Sequence, residues 1–145
     1  MPDIDKRLAY RLWLYAKRSA EHATQLNPGH GRSAGPLMTV EMLSASMRAS
    51  LIGLALMTDE GVGDIEKVPF SLFVVARAVE MAGARSFART EMDALMMVDR
   101  IVSAGLDRHL VPQEMCELVE RHASSLAWTL AADLQNRLPQ GGDTE

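Results

Sequence analysis

Two short segments of the chain place a cation, a hydroxyl and the start of a helix together. They are Gly29-His30-Gly31-Arg32-Ser33 and Arg85-Ser86-Phe87-Ala88-Arg89-Thr90. Free backbone N–H groups at a helix start attract anions. If the fold brings the two segments together, His30, Arg32, Ser33, Arg85 and Arg89 could hold a nucleotide or another anionic ligand. Taken separately, ordinary caps and turns account for each.

A second candidate surface lies near the amino end, where Lys6, Arg7, Arg11, Lys17 and Arg18 interleave with Tyr10, Trp13 and Tyr15. Cations bind phosphates while aromatic rings stack on bases, so Arg11 and Arg18 are candidates for nucleic-acid or partner binding. The plainer expectation is a solvated helix face whose aromatics turn into the core, and Asp3, Asp5 and Glu21 dilute the patch. Arg48 is the third candidate, a lone cation in a very apolar stretch. It must reach water along its methylene stem, pair with an acid of the 59–66 connector, or face a partner. Ten methionines, many at helical spacing, fill a core or furnish an adaptable binding surface.

Catalytic and metal-binding signatures are missing. There is no H-E-x-x-H and no E-x-x-H of the di-iron bundle type. The glycine-rich segment lacks the Lys-Ser/Thr pair of a phosphate-binding loop. His22, His30, His109 and His122 have no ligand spacing to one another, and His122 falls on an apolar stripe as a core histidine. Cys116 is the only cysteine, so a disulfide framework and a structural zinc cluster are excluded, and Glu114 and Glu117 oppose its ionisation. A helix-turn-helix across 70–97 fits poorly, because Val79 replaces the small residue and the connector is long.

The elements that must position these residues read as helices. The first spans about Asp5 to Leu26 with Asp3 as cap and a stripe of Ile4, Leu8, Leu12, Tyr15, Ser19, Ala23 and Leu26. Three glycines and two prolines across 27–36 then form a loop. The second helix, about Leu37 to Met57, is apolar nearly all round and should be central. Its row of Ala45, Ala49 and Gly53, with Ser46 and Ser50 beside it, invites a second helix to approach closely, either within the chain or across a dimer seam. Val68-Pro69 starts the third helix, whose inward stripe reads Phe70, Phe73, Val74, Ala78 and Met81, with Gly83 as stop. Thr90 and Asp93 form a capping-box variant that opens the fourth, with Gly105 beyond its end. Pro112 and Glu114 open the last, about 112–138, with a stripe of Met115, Val119, His122, Leu126, Leu130, Asp133 and Arg137. Residues 140–145 form a frayed tail.

With 145 residues and no strand in this reading, the expected fold is all-α. It is a single-domain bundle of about five helices, covering 1–139, with a long C-terminal helix. Arginine outnumbers lysine 12 to 3, a bias of GC-rich bacterial or phage genes. Residues 1–57 carry a net charge of +3 and 58–145 carry −7, which argues against a general nucleic-acid coat. The amino end lacks the apolar core of a signal peptide, and Met42–Thr58 with Arg48 inside falls short of a membrane span, so a cytoplasmic protein is expected. These observations favour a small non-enzymatic regulator, inhibitor or adaptor that binds another protein and self-associates as a homo-oligomer, without a cofactor or a membrane. The alternative is a helical domain that binds a nucleotide, another anion or nucleic acid through its arginines.

Overall fold

Five helices follow one another: α1 (Asp3–Gln25), α2 (Pro36–Leu56), α3 (Leu72–Met81), α4 (Arg89–Leu106) and α5 (Gln113–Arg137). The computed structural model describes residues 3–25, 36–58, 68–106 and 111–138. Among the described residues there is no strand, and the all-α bundle with a long C-terminal helix is as expected.

The centre is α2, which packs on all four other helices. By length and composition Leu37–Leu56 could cross a membrane, a longer apolar stretch than the sequence reading allowed. Its apolarity is used inside the bundle, where 61% of that stretch is buried. Val40, Leu43, Met47, Leu51 and Leu54 are enclosed by the other helices. The small-residue row works within the chain: Ala49 meets Ala16 of α1 and Ala131 of α5 in one alanine cluster. Gly53 lies so close to Leu134 of α5 that a Cβ there would come within 2.5 Å of a leucine methyl. Small side chains are what permit backbones to approach this far. Two buried hydroxyls accompany the row. Ser46 Oγ donates to the Ala16 carbonyl at 2.7 Å, whereas Ser50 Oγ has no partner among the described residues.

The stripes differ from the sequence reading, and in α1 and α5 alanine is the reason. In α1 the inward residues are Ala9, Ala16, Ser19, Ala20 and Ala23, while Tyr15 is exposed and Leu8 and Leu12 only half-buried. In α3 the buried face is Leu72, Val75, Ala76 and Val79, and Phe70, Val74 and Met81 of the expected stripe lie exposed. In α5 the inward face is Cys116, Val119, Ala123, Leu126, Ala127, Leu130, Ala131 and Leu134, so Met115, His122 and Arg137 face outward.

Helix ends carry further corrections. Ser71, not Val68-Pro69, caps α3 and accepts from the Val74 N–H. Asp99 of α4 also accepts from Ser71 Oγ, Leu72 N–H and Phe73 N–H at 2.7–3.0 Å, so it satisfies donors at the start of another helix. The α3 stop is as expected. Gly83 takes φ +78°, with Gly83 N–H on the Glu80 carbonyl and Ala84 N–H on Val79, a Schellman closure. At α4 the reciprocal carboxylate is Glu91, which accepts from Ala88 N–H at 2.9 Å, rather than Asp93 acting on Thr90. Gly105 lies inside α4, close to Leu37 of α2. Asp3, expected as a cap, is already the first residue of α1.

The two serines of α2 make a direct test in urea unfolding. Ser46→Ala removes a buried bond and costs about 0.5–1.5 kcal/mol. Ser50→Ala removes an unpartnered hydroxyl and is neutral or stabilising. Equal losses at both sites would contradict this packing.

Candidate functional site

The sequence candidates separate into fasteners and free groups. Arg85 is a fastener. Its Nε donates to Asp133 of α5 at 2.6 Å, and its two terminal nitrogens reach both Glu91 oxygens at 3.0–3.1 Å. The guanidinium also sits 4.6 Å from the centre of the Phe87 ring. Its side chain is only 13% exposed, and it ties the α3–α4 connection to α4 and α5. Glu80 completes that connection by accepting from Phe87 N–H at 3.1 Å. Burial opposes the Arg85 charge, but hydrogen bonds to Glu91 and Asp133 outweigh it and hold the guanidinium above its ordinary pKa. The Glu91 carboxyl lies below its ordinary pKa, chiefly through its hydrogen bond to Arg85 and with help from Ala88 N–H, against an opposing cost of burial.

Arg48 is also a fastener, though of a kind not foreseen in the sequence. Among the described residues it does not pair with an acid, and the 59–66 connector lies outside them. It donates to the backbone carbonyls of Val68, Pro69 and Phe70 and lies 5.8 Å from the Phe70 ring centre. A planar guanidinium with several donors suits a bend in the backbone that shows three carbonyls to one side. Arg48 from α2 and Asp99 from α4 therefore hold the segment before α3 from its acceptors and from its donors.

Arg11 and Arg18 are exposed on α1, and Arg89 is exposed in the first turn of α4. His30, Arg32 and Ser33 lie outside the described residues, as does the 140–145 tail. The two-loop anion site thus loses Arg85, which is already spoken for by two carboxylates. Cys116 is 1% exposed; burial, then Glu117 and Glu41, pushes its thiol up, consistent with a packed and unreactive group.

A feature missed in the sequence is a groove between α4 and α5. Its middle, about 290 Å³, is lined by Thr90, Asp93, Ala94, Met97, Leu118, Val119 and His122. An adjoining hollow of about 240 Å³ shares Thr90, Ala94 and His122 and continues to Ser125 and Thr129. A third of about 180 Å³ shares Met97 and runs past Ile101 to Val111, Pro112 and Met115. From Met115 to Thr129 this amounts to about 21 Å of helix length. His122, expected in the core, instead stands exposed on the groove wall. The signal for the groove was Met97, Met115 and Leu118, apolar residues outside the true inward faces.

Thr90, Asp93 and His122 line one hollow, but no hydrogen bond joins any two of them among the described residues. The linked nucleophile, base and orienting group of acyl-transfer chemistry is not assembled there. The described residues hold no cluster of three or more His, Cys, Asp or Glu able to bind a metal ion. In comparisons with known proteins, no family model, curated protein or solved structure matches the chain.

Arg85→Ala strands two carboxylates and should cost about 1.5–3 kcal/mol, rather than behaving as a neutral loop substitution. The Glu91 part of that stability depends on pH with a defined sign. Its folded pKa is lowered, so its contribution is present above the unfolded value of about 4.3 and lost as pH falls through the folded value. Urea midpoints of wild type and Glu91→Gln should therefore differ at neutral pH and converge in acid. A gap that widens in acid would contradict the pairing.

Proposed function

We propose that this chain is a non-enzymatic protein-binding module whose α4–α5 groove accepts one amphipathic helix of a partner protein, as a regulator, inhibitor or adaptor would. The observation that carries this reading is the length and lining of the groove. About 21 Å matches some four helical turns. Its floor is formed by Ala94, Met97, Val119 and Ile101, and its rims carry scattered polar groups such as Thr90, Asp93, His122 and Arg121. A helix with apolar anchors at i, i+3, i+4 and i+7 fits a groove of this kind. Methionine at the middle suits such a surface because the thioether chain repacks around different anchors.

Leu118, 61% exposed on the rim, continues the apolar surface outward, as does Met115. The small-residue row, one ground for expecting association between copies, is filled within the chain. The alternative, an anion or nucleic-acid site formed by the Arg-bearing loops and the basic face of α1, is supported among the described residues by exposed Arg11, Arg18 and Arg89.

The test is an NMR titration with a synthetic amphipathic peptide of about 14 residues carrying a leucine stripe at helical spacing. Chemical-shift changes are expected at Ala94, Met97, Val119 and His122. Leu118→Glu should weaken binding by at least about tenfold with helical circular dichroism unchanged, since an exposed position tolerates substitution. Shifts centred elsewhere, absence of binding, or indifference to Leu118→Glu would overturn the proposal.

A further inference from the structure

The outward face of α1 is more sharply organised than its composition suggests. At 100° per residue, Arg7, Arg11, Tyr15, Arg18 and His22 fall within a sector of about 80°, spaced by four, four, three and four residues. All five are exposed. They lie opposite the buried Ala9, Ala16, Ala20 and Ala23 that hold α1 to the bundle. Half-buried Leu8 and Leu14 flank the stripe on its two sides. Lys17 belongs to a different side, lying 5.5 Å from the Trp13 ring centre. Two acids lie close to the stripe by helical position, Asp3 one turn before Arg7 and the exposed Glu21 at the carboxyl end. None of the three arginines forms an ion pair or hydrogen bond among the described residues, unlike Arg48 and Arg85.

We infer that this face is a second interaction surface, separate from the groove, and that it binds an acidic amphipathic helix of a partner protein. Its three strongest cations are all arginine, whose planar fork pairs with carboxylates two bonds at a time. An exposed tyrosine at the centre and leucines on both flanks supply the apolar contact that protein interfaces use and a phosphate backbone does not. A helix bearing carboxylates four and seven residues apart would meet Arg7, Arg11 and Arg18 in turn. Charge decides against nucleic acid as the occupant. The chain is −4 overall and −7 across 58–145, so a long polyanion is repelled by most of the molecule while a short acidic helix meets only the stripe. The two surfaces share no residue, because the groove is lined from α4, α5 and the residues just before α5, and not from α1.

The experiment uses the whole chain and a labelled helical peptide of about 20 residues with glutamates at those spacings and leucines beside them. Fluorescence anisotropy at physiological salt compares it with the same peptide carrying glutamine for glutamate, and with single-stranded DNA of about the same length. The acidic peptide is expected to bind. Glutamine replacement in the peptide, or the double variant Arg11→Gln with Arg18→Gln, should each weaken binding at least about tenfold. Leu118→Glu should leave it unchanged, which separates this surface from the groove. Absence of binding, indifference to the arginine substitutions, loss on Leu118→Glu, or DNA binding tighter than the peptide would each overturn the inference. So would a self-association lost with those arginines, which would make a second copy the occupant.

Discussion

Everything in this bundle depends on three helices meeting through side chains of one carbon or none. Ala16, Ala49 and Ala131 bring α1, α2 and α5 together at one point, and Gly53 admits Leu134 beside them. Close backbones leave little room for water, so the remaining faces of α2 must also be covered by apolar partners. Met47, Leu51 and Leu54, fully enclosed, are covered in this way. Helix α2 can therefore be apolar nearly all round because it touches each of the other helices. The same closeness explains why a serine hydroxyl can reach a carbonyl of the neighbouring helix, as Ser46 does.

The shorter helices are held by a different device. Asp99 reaches from α4 to the free donors of α3, Arg48 reaches from α2 to three carbonyls just before it, and Arg85 joins the α3–α4 connection to α5. Each is a charged side chain set against backbone ends or an opposite charge, which is where a partly buried charge is tolerated. These contacts engage Arg48, Arg85 and Asp99 around α3, while Arg77 of α3 stays exposed. They leave the arginines of α1 without an internal partner among the described residues. The free surfaces are thus those the packing does not need.

Helix number and the approximate places where helices stop are legible because they are local, though the capping residues often differ. Gly83, the glycine- and proline-rich segment from 27 to 36, and Pro112 interrupt the chain by backbone chemistry that needs no neighbour. Which face turns inward was much less legible. A stripe of large apolar residues is the usual guide, but here the contacts at α1 and α5 are lined by alanine. In α3 large apolar residues stand on more than one side, so spacing alone points Phe70, Val74 and Met81 inward, whereas Leu72, Val75 and Val79 form the buried face. The roles of Arg85 and Asp99 rest on partners 48 and 26–28 residues away, and no local spacing encodes such pairs. Arg85 and Arg89, four residues apart in similar surroundings, could not be told apart by sequence. The groove is not legible for the same reason, since it lies between two helices and the inward face of α5 differs in part from its expected stripe.

The most direct measurement is a double-mutant cycle across the tightest contact, Gly53 against Leu134, read from urea midpoints. If α2 is held by this close approach, Gly53→Ala destabilises by about 1–2 kcal/mol, because a methyl must displace an enclosed leucine. Leu134→Ala alone costs about 2–5 kcal/mol. Together they should cost less than the sum by more than about 0.5 kcal/mol, since the smaller side chain makes room for the added methyl. If instead Gly53→Ala stabilises the chain through alanine's helix preference, or the two losses simply add, the contact does not govern the packing and the account is wrong.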